Sequence, residues 1–404
     1  MQGQGGFFMK ISITATTHVA NNPKDIASKA EFDNFGGKSA GICYMPSSFN
    51  DLLNEPAEKT ARRTLQTKNS GHHSVYDHAK ISLYLEDIPK ALAIVLNNEK
   101  DFATSEKSAR YTKMVLQDDE KVLYNKWLEI FEKLISDKYK QKCPDFFTNS
   151  RITKLAQENA RYLTSVFTPT SMEYTLSYRQ LNYLYSFLKR ESEQENNSHR
   201  FYKALRPCLQ EFCRAMEENL PYLDEMLQND GKNRRLSLFR NPILKPEKHF
   251  STIYSTYYKG SFAQLAQAQR HRTLSYNINL LDSDEYFVPP ILKSNPTLVA
   301  EWEKDINSLS VHIPQGLLVN INESGTYENL LLKAKERCCT FAQKEIQEQT
   351  TATIKEYYEA LKDTNPELAE HLLGYTKGSR CTFKDYKCQS PCGFADGISG
   401  EREI

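Results

Sequence analysis

The spacing of apolar and polar residues predicts alternating strands and helices in the first half of the chain. Residues 11–17 alternate β-branched and small side chains, as a strand does, and residues 39–44 form a short extended or helical element. Residues 79–85 predict a half-buried strand, and the apolar run at residues 91–96 predicts a helix directly after it. Longer helical patterns occupy residues 121–138, 179–189 and 201–218.

A similar layout begins again after a polar stretch. Residues 229–235 contain glycine and have no apolar periodicity, so they are the predicted linker. Residues 249–258 then predict a strand, and a helix from Ser261 toward Arg270 is followed by a loop. The second half therefore looks like a second copy of the first.

The length supports this division, since 404 residues suit two domains with separate cores. We predict an α+β protein with a first domain at residues 1–228 and a second at residues 229–404. The end of the chain from residue 377 is rich in Gly, Ser and Cys, and it is predicted to be a surface tail.

Charge and hydropathy narrow the function classes. The chain has 52 Lys and Arg against 51 Asp and Glu, so its net charge is close to zero and does not attract it to nucleic acid or to an acidic membrane. The longest aliphatic run, at residues 91–96, is far shorter than the roughly 20 residues of a membrane helix. Residues 1–8 lack the features of a signal peptide, and nine cysteines without secretory features favour a reducing compartment. We expect a soluble cytoplasmic protein.

The segment around Arg270 carries the densest candidate chemistry. Gln264, Gln267 and Arg270 recur at a spacing of three, so two amides and a guanidinium share one helix face suited to planar hydrogen bonding. Arg270, His271 and Arg272 then follow one another. The alternative is that these cations are solvated charges at a helix C-terminus.

The whole string resembles a family signature. Residues 270–277 match the first five specified positions of Arg-His-Arg-x-x-Ser-x-Asn-x-x-Ser-x-Arg, which is typical of flavin-dependent thymidylate synthases. Leu280 and Asp282 replace the final Ser and Arg, which hold the phosphate of dUMP in that family. Residues 105–111 of the first half resemble the missing part, with Glu106, Ser108 and Arg110 matching, whereas Asn97-Asn98-Glu99 stand in place of its Arg-His-Arg. Each half has lost what the other kept.

Two further segments of the first half resemble the family. Residues 71–78 are similar to Gly-His-x-Ser/Thr-Pro-x-Glu-His, in which the Ser or Thr contacts the flavin; Ser74 fits, but Val75 and Asp77 depart from the pattern. Arg161 aligns loosely with another phosphate-binding arginine, where the second half has Ser310.

Arg337 is the candidate uracil-facing arginine. Residues 336–346 resemble the family's Leu-Arg-x-Cys-x-x-Ala-Gln-x-Glu-Ile helix, and Arg190 is its possible counterpart in the first half. Independently of the family, helical spacing places Arg337 on an apolar stripe with Leu330, Ala334 and Phe341, where a charge needs a partner. The alternatives are an internal ion pair or a side chain that reaches solvent.

The resemblance implies two tandem copies of the family's fold, a mixed β-sheet flanked by long helices. It also implies FAD as cofactor, with dUMP methylated by methylenetetrahydrofolate and NADPH, in a homodimer that forms a pseudo-tetramer. By this resemblance Gln267, Arg270 and Arg337 face the first half's residues in one composite site per chain. Arg337 is the catalytic candidate; the remaining dUMP contacts are Gln267, Arg270, Glu106, Ser108, Ala109, Arg110 and Arg161, and the flavin contacts are Ser74, Arg270, His271, Arg272 and Glu106.

Other readings remain open. The chain fits a sister flavoenzyme that acts on another uracil nucleotide, or a nucleotide- or flavin-binding relic without catalysis. The spacing of Cys381, Cys388 and Cys392, or the histidines at residues 72–78, can suit a metal, but neither has a regular four-ligand pattern. We expect no metal.

Overall fold

The computed structural model describes residues 9–18, 26–45, 48–107, 115–194, 199–228, 235–241, 244–389 and 402–404. The chain forms two compact units. The first comprises residues 1–107 and 169–237, and the second comprises residues 108–168 and 238–404. The predicted boundary at residues 228 and 229 differs from this division, because the segment 108–168 packs with the second half of the chain. Sequence order alone does not reveal that a segment of the first half packs with the second half.

Helices are the most abundant elements in both units. The helices are α1 (Lys29–Tyr44), α2 (Phe49–Leu53), α3 (Ala57–Asn69), α4 (Lys90–Leu96), α5 (Asp118–Tyr139), α6 (Asn149–Ala160), α7 (Tyr178–Glu193), α8 (Arg200–Asn219), α9 (Phe262–Ala268), α10 (Pro296–Ser308), α11 (Tyr327–Arg337), α12 (Lys344–Leu361) and α13 (Pro366–Leu373). Helices α5, α6 and α9 to α13 belong to the second unit. No helix in the described part of the chain is long and apolar enough to span a membrane.

Each unit contains one four-stranded sheet. The strands are β1 (Lys10–Thr16), β2 (Lys80–Pro89), β3 (Ala103–Glu106) and β4 (Pro169–Ser177) in the first unit, and β5 (His249–Phe250), β6 (Ile253–Ser261), β7 (Ser275–Leu280) and β8 (Leu318–Thr326) in the second. The orders are β1-β2-β4-β3 and β5-β6-β8-β7. Their pairings are antiparallel, so the expected mixed sheet is antiparallel here apart from one isolated parallel bridge between Phe239 and Ile278.

The two sheets also share their register. In the first unit the last residue of β2, Pro89, pairs with the first residue of β4, Pro169. In the second unit the last residue of β6, Ser261, pairs with the first residue of β8, Leu318. On the other side of the central strand, the first residue of β3 pairs with Thr175, and the first residue of β7 pairs with Ser324. Thr175 lies two residues before the end of β4, and Ser324 lies two residues before the end of β8. A helix follows directly after β2, β6, β4 and β8. Positions in one unit can therefore be matched one by one with positions in the other.

Serine side chains cap two of the strand-to-helix junctions. Ser177 accepts a hydrogen bond from the amide of Gln180 at the start of α7, and Ser261 accepts one from the amide of Gln264 at the start of α9, both at 3.0 Å. A hydroxyl at this position satisfies a helix amide that has no intrahelical partner. The cap explains why a period-2 pattern changes to a helical one within a single residue.

The second unit has a large aromatic core. Trp127 and Trp302 meet edge to face at 4.9 Å between ring centroids, which packs α5 against α10. The core also includes Ile404, and Arg402 is 3% exposed. The prediction of a surface tail from residue 377 is therefore wrong at residues 402–404, where the chain returns to the interior.

Most predicted elements of the first half are confirmed. The strand at residues 11–17 is β1, the strand at residues 79–85 lies in β2, and the long helical patterns lie in α5, α7 and α8. Residues 39–44 are helical. The loop expected after Arg270 is short, since Ser275 and Asn277 lie on β7.

Candidate functional site

Arg337 and His271 are in direct contact in the second unit. Arg337 is the last residue of α11, and its Nε donates to Nε2 of His271 at 2.7 Å. Leu330 and Ala334, on the same face of α11, are fully buried. The predicted need for a partner is met by this imidazole and by the carboxylate of Glu336, whose Oε2 lies 3.6 Å from Nη2 of Arg337. Phe341 lies beyond the end of α11, so it does not belong to the stripe.

This contact fixes the state of the imidazole. His271 is 5% exposed, and burial lowers its pKa to about 2, with further lowering from Arg337 and Lys333. A neutral imidazole that accepts at Nε2 carries its proton on Nδ1. His271 is therefore a neutral residue that can donate a hydrogen bond from Nδ1.

A buried ion pair lies beside this arrangement. Lys333 on α11 and Glu323 on β8 are 0% exposed, and Nζ donates to Oε2 at 2.7 Å. The hydroxyls of Tyr254 and Tyr258 each donate to the same carboxylate at 2.7 Å, and Lys333 also donates to Gln349. Burial lowers the pKa of Lys333, and Glu323 opposes that shift. The carboxylate of Glu323 thus accepts three hydrogen bonds from protein groups, which compensate for the loss of water around a buried charge.

The predicted substrate residue Gln267 is buried on α9. It is 4% exposed, and neither amide atom has a hydrogen-bond partner among the described residues. Gln264, three residues earlier, is 1% exposed and equally unpartnered. Arg270 and Arg272, which follow the helix, are exposed. The amide face predicted from spacing exists, but its arginine end reaches solvent.

Arg161 lies in the second unit although it belongs to the sequence of the first half. It is 6% exposed and donates through Nη2 to the side chain of Gln343. Gln343 also bonds Tyr162, whose hydroxyl donates to Glu345 at 2.8 Å. Glu345 in turn accepts from the amide and the hydroxyl of Ser261 at 2.8 and 2.7 Å. The segment 108–168 thus delivers a buried arginine to the start of α12.

This geometry changes the interpretation of residues 336–346. They were expected to form one helix, but α11 ends at Arg337 and α12 begins at Lys344. Arg402 holds the turn between them by donating to the carbonyl of Ala342 at 3.0 Å and to the side chain of Gln347 at 2.7 Å. Gln and Glu of the motif therefore have structural roles here, beside any contact with a ligand.

The predicted site residues of the first half are placed differently. Ser74 is exposed in a short 3-10 turn of the first unit. Glu106 forms an ion pair with Lys90 and accepts from Asn97 at 3.1 Å. Ser108, Ala109 and Arg110 lie outside the described residues. The roles that the resemblance gives to these residues stay predictions.

Matched positions in the first unit are apolar where the second unit is polar. Leu92 and Val95 on α4 occupy the places of Gln264 and Gln267 on α9, counted from the first residue of each helix. On α7, Leu184 and Leu188 occupy the places of Lys333 and Arg337 on α11. Arg190, the predicted counterpart of Arg337, is thus two residues out of register.

The strands and loops give the same result. Tyr174 occupies the place of Glu323, because the second residues of β3 and β7 pair with them. The segment that matches Arg270 to Arg272 is residues 98–100, one position later than predicted, so Glu99 matches His271. Glu99 is 0% exposed and accepts from the amide of Ser237. The first unit has a packed interior in place of the polar cluster.

Histidine and cysteine groups do not form a metal centre in the part of the chain that the structure describes. His73 is buried between the carbonyl of Lys68 at 3.0 Å and the hydroxyl of Tyr183 at 3.1 Å. Cys392 lies outside the described residues.

Sequence reasoning missed Glu323, Lys333 and Arg402. Lys333 stands four residues before Arg337, which places the two on the same face of a helix, and that spacing was a usable signal. Nothing local marks Glu323 or Arg402, since their partners lie at least ten residues away in sequence.

Comparison with known proteins bears on both units. The family described as thymidylate synthase complementing protein matches residues 30–197, which is less than half of the chain. A search of curated proteins found no match. Thymidylate synthase X from Helicobacter pylori, solved with FAD and dUMP, is 15% identical at a TM-score of 0.33 and covers 55% of this chain and 100% of its own. A UMP/dUMP methylase from Streptomyces cacaoi, bound with 5-Br dUMP, is 14% identical at a TM-score of 0.30, with coverage of 54% and 98%.

The family match bears on one part of the chain. Residues 30–197 of the chain are similar to the thymidylate synthase complementing proteins. The matched segment includes Arg161 but not Arg270, His271 or Arg337.

Proposed function

We propose that the chain methylates dUMP to dTMP with bound FAD, using methylenetetrahydrofolate and NADPH, and that the second unit carries the nucleotide site. Two observations carry this proposal: Arg337 contacts the neutral His271, and the amide of Gln267, four residues before His271 in sequence, is buried without a partner among the described residues. A cation, a neutral hydrogen-bond donor and a free amide in a buried setting fit a planar base with a polar edge.

We further infer that the two units are tandem copies of one fold. Their equal strand order and their matching registers support this inference. Only the second copy retains the polar cluster, because the first has Leu184, Leu188, Leu92 and Val95 at the matching positions. One chain then holds one functional nucleotide site.

The chain's own residues supply orientation and charge. The guanidinium of Arg337 stabilises negative charge that develops on the uracil ring. His271 holds Arg337 in place through Nε2 and keeps its own proton on Nδ1 for a ligand acceptor. Arg161 is the buried cation for the phosphate, and Ser108 and Arg110 complete that clamp by resemblance. FAD, when bound, supplies the redox chemistry of the transfer.

The test compares Arg337→Ala with Arg190→Ala. Losing a charged hydrogen-bond donor costs about 1.5–3 kcal/mol, so Arg337→Ala should weaken dUMP binding about 10- to 100-fold in calorimetry. Arg190→Ala should bind as the unchanged protein does, since Arg190 does not match Arg337. In a thymidine-requiring host, the unchanged chain and Arg190→Ala should restore growth, whereas Arg337→Ala should not.

Other outcomes would redirect the proposal. Tighter binding of UMP than of dUMP would indicate a sister enzyme for another uracil nucleotide. A purified chain that stays colourless and cannot be reconstituted with FAD would contradict both enzyme functions.

A further inference from the structure

The two glutamines of α9 are an unusual feature of the second unit. Oε1 and Nε2 of Gln264 and of Gln267 are all buried, and none has a hydrogen-bond partner among the described residues. The two side chains are 1% and 4% exposed. Burying a polar group without a partner costs free energy, so four such atoms on one short helix lower the stability of this unit.

The first unit shows that the fold does not require these amides. Leu92 and Val95 stand at the matching positions of α4, and both are 0% exposed. An apolar pair therefore satisfies the same strand-to-helix junction. The amides of the second unit call for an explanation other than packing.

The neighbouring strand is adapted to Gln264. Gly260 on β6 has no side chain, and a Cβ there would lie 2.1 Å from Oε1 of Gln264 and 2.8 Å from Cδ1 of Ile321. The amide thus lies directly over the backbone of Gly260. Ile88 occupies the matching position in the first unit. Where the first unit has the apolar residues Ile88 and Leu92, the second unit has Gly260 and Gln264.

We propose that Gln264 is a ligand-recognition residue that acts with Gln267 on the imide edge of a planar heterocycle. A primary amide presents a donor and an acceptor in one plane, which complements the alternating carbonyl and N–H groups of an imide. Uracil and the flavin ring both carry such an edge, whereas cytosine does not. This inference rests on the proposed function and adds to it, because the family resemblance assigns Gln267 but not Gln264.

The experiment replaces Gln264 by the residue of the first unit. Gln264→Leu removes the unpartnered amide, so the ligand-free protein should melt about 2–4 °C higher than the unchanged protein. The same variant should bind its imide ligand about tenfold more weakly, as expected for one lost hydrogen bond. Calorimetry with dUMP and fluorescence quenching with FAD separate the two possible sources of the imide, since only one affinity should fall.

Gln315→Leu is the matched control. Gln315 is 2% exposed in the same unit, but its Nε2 donates to Oγ1 of Thr164 at 2.7 Å. Its loss should lower the melting temperature and leave both affinities unchanged. Opposite signs of the melting shift at the two buried glutamines would show that the Gln264 amide lacks a partner in the ligand-free protein, and a loss of affinity in Gln264→Leu alone would show that a ligand uses it.

A second variant keeps the inference testable without changing the amide. Gly260→Ala places a methyl group 2.1 Å from Oε1 of Gln264, so Gln264 must move and the same ligand should bind about as weakly as in Gln264→Leu. Unchanged affinity for both ligands in Gln264→Leu and Gly260→Ala would overturn the inference and indicate an ordered water as the partner. If the unchanged protein binds neither dUMP nor FAD, the proposed function itself fails.

Discussion

The imidazole of His271 shows how burial sets the protonation of a single side chain. Its pKa falls to about 2 because it is removed from solvent and because Arg337 and Lys333 are close. A protonated His271 beside two cations would be strongly unfavourable, so the fold selects the neutral form. The sequence shows three basic residues in a row, but it does not show that the middle one is uncharged.

This pKa predicts a pH dependence of stability. The folded protein binds no proton at His271 between about pH 6.5 and 2, whereas the unfolded chain does, so His271 lowers the free energy of unfolding as the pH falls below 6.5. We expect the unchanged protein to lose about 1.4 kcal/mol more than His271→Gln between pH 7.5 and 5.5 in urea unfolding. Glutamine keeps an acceptor near Nε2 for Arg337. Equal losses in both proteins would contradict a neutral buried His271.

Helix α11 carries its charge on a face that is otherwise apolar. Leu330 and Ala334 are fully buried there, and Lys333 is equally buried against Glu323 of β8. The ion pair links α11 to β8, and two tyrosines of β6 donate hydrogen bonds to the same carboxylate. In the first unit, Leu184 and Tyr174 stand at the positions that match Lys333 and Glu323. The first unit has uncharged side chains at these positions, whereas the second unit has a buried ion pair near Arg337.

The ion pair predicts a non-additive response to substitution. Lys333→Met leaves Glu323 buried without its cation and should cost about 3–5 kcal/mol of unfolding free energy. The double variant Glu323→Gln with Lys333→Met should recover much of that loss, because no uncompensated charge remains; the Gln side chain accepts from one of the two tyrosines through its oxygen and donates to the hydroxyl of the other through its NH2 group. Denaturant unfolding of the two single variants and the double variant measures the coupling. Simple additivity would mean that the pair does not stabilise the helix as a unit.

At the scale of the whole molecule, two units of equal topology carry unequal interiors. The segment 108–168 adds to the asymmetry, because it leaves the first unit after β3 and packs within the second before β4 begins. It brings Arg161 to Gln343 at the start of α12. The resemblance also implies a homodimer that forms a pseudo-tetramer, and that assembly is part of the proposal.

Unequal interiors predict one nucleotide site per chain. Calorimetric titration with dUMP should give a stoichiometry of one, since Leu188 and Val95 of the first unit offer neither charge nor amide. Leu188→Arg should not create a second site, because the first unit has Glu99 where His271 would receive the guanidinium. Two equivalent sites per chain would contradict the inferred loss of function in the first unit.

The sequence by itself determined most of the elements and the candidate residues of the second half. Period-2 and helical patterns locate β2, α4, α5 and α8 because burial of one face imposes them. Arg270 to Asn277 was found because its spacing is local. Sequence order, however, placed residues 108–168 in the wrong unit and put the counterpart of Arg337 two residues too late, at Arg190.

Only the tertiary structure decided which side chains meet. Arg337 finds His271, Lys333 finds Glu323, and Arg402 returns to the turn after α11. These partners are separated in sequence, and their contacts depend on strand register and on the packing of helices over the sheet. Burial then sets the charge of His271 and leaves the amides of α9 without partners, because solvation is a property of the folded surroundings and not of the residue.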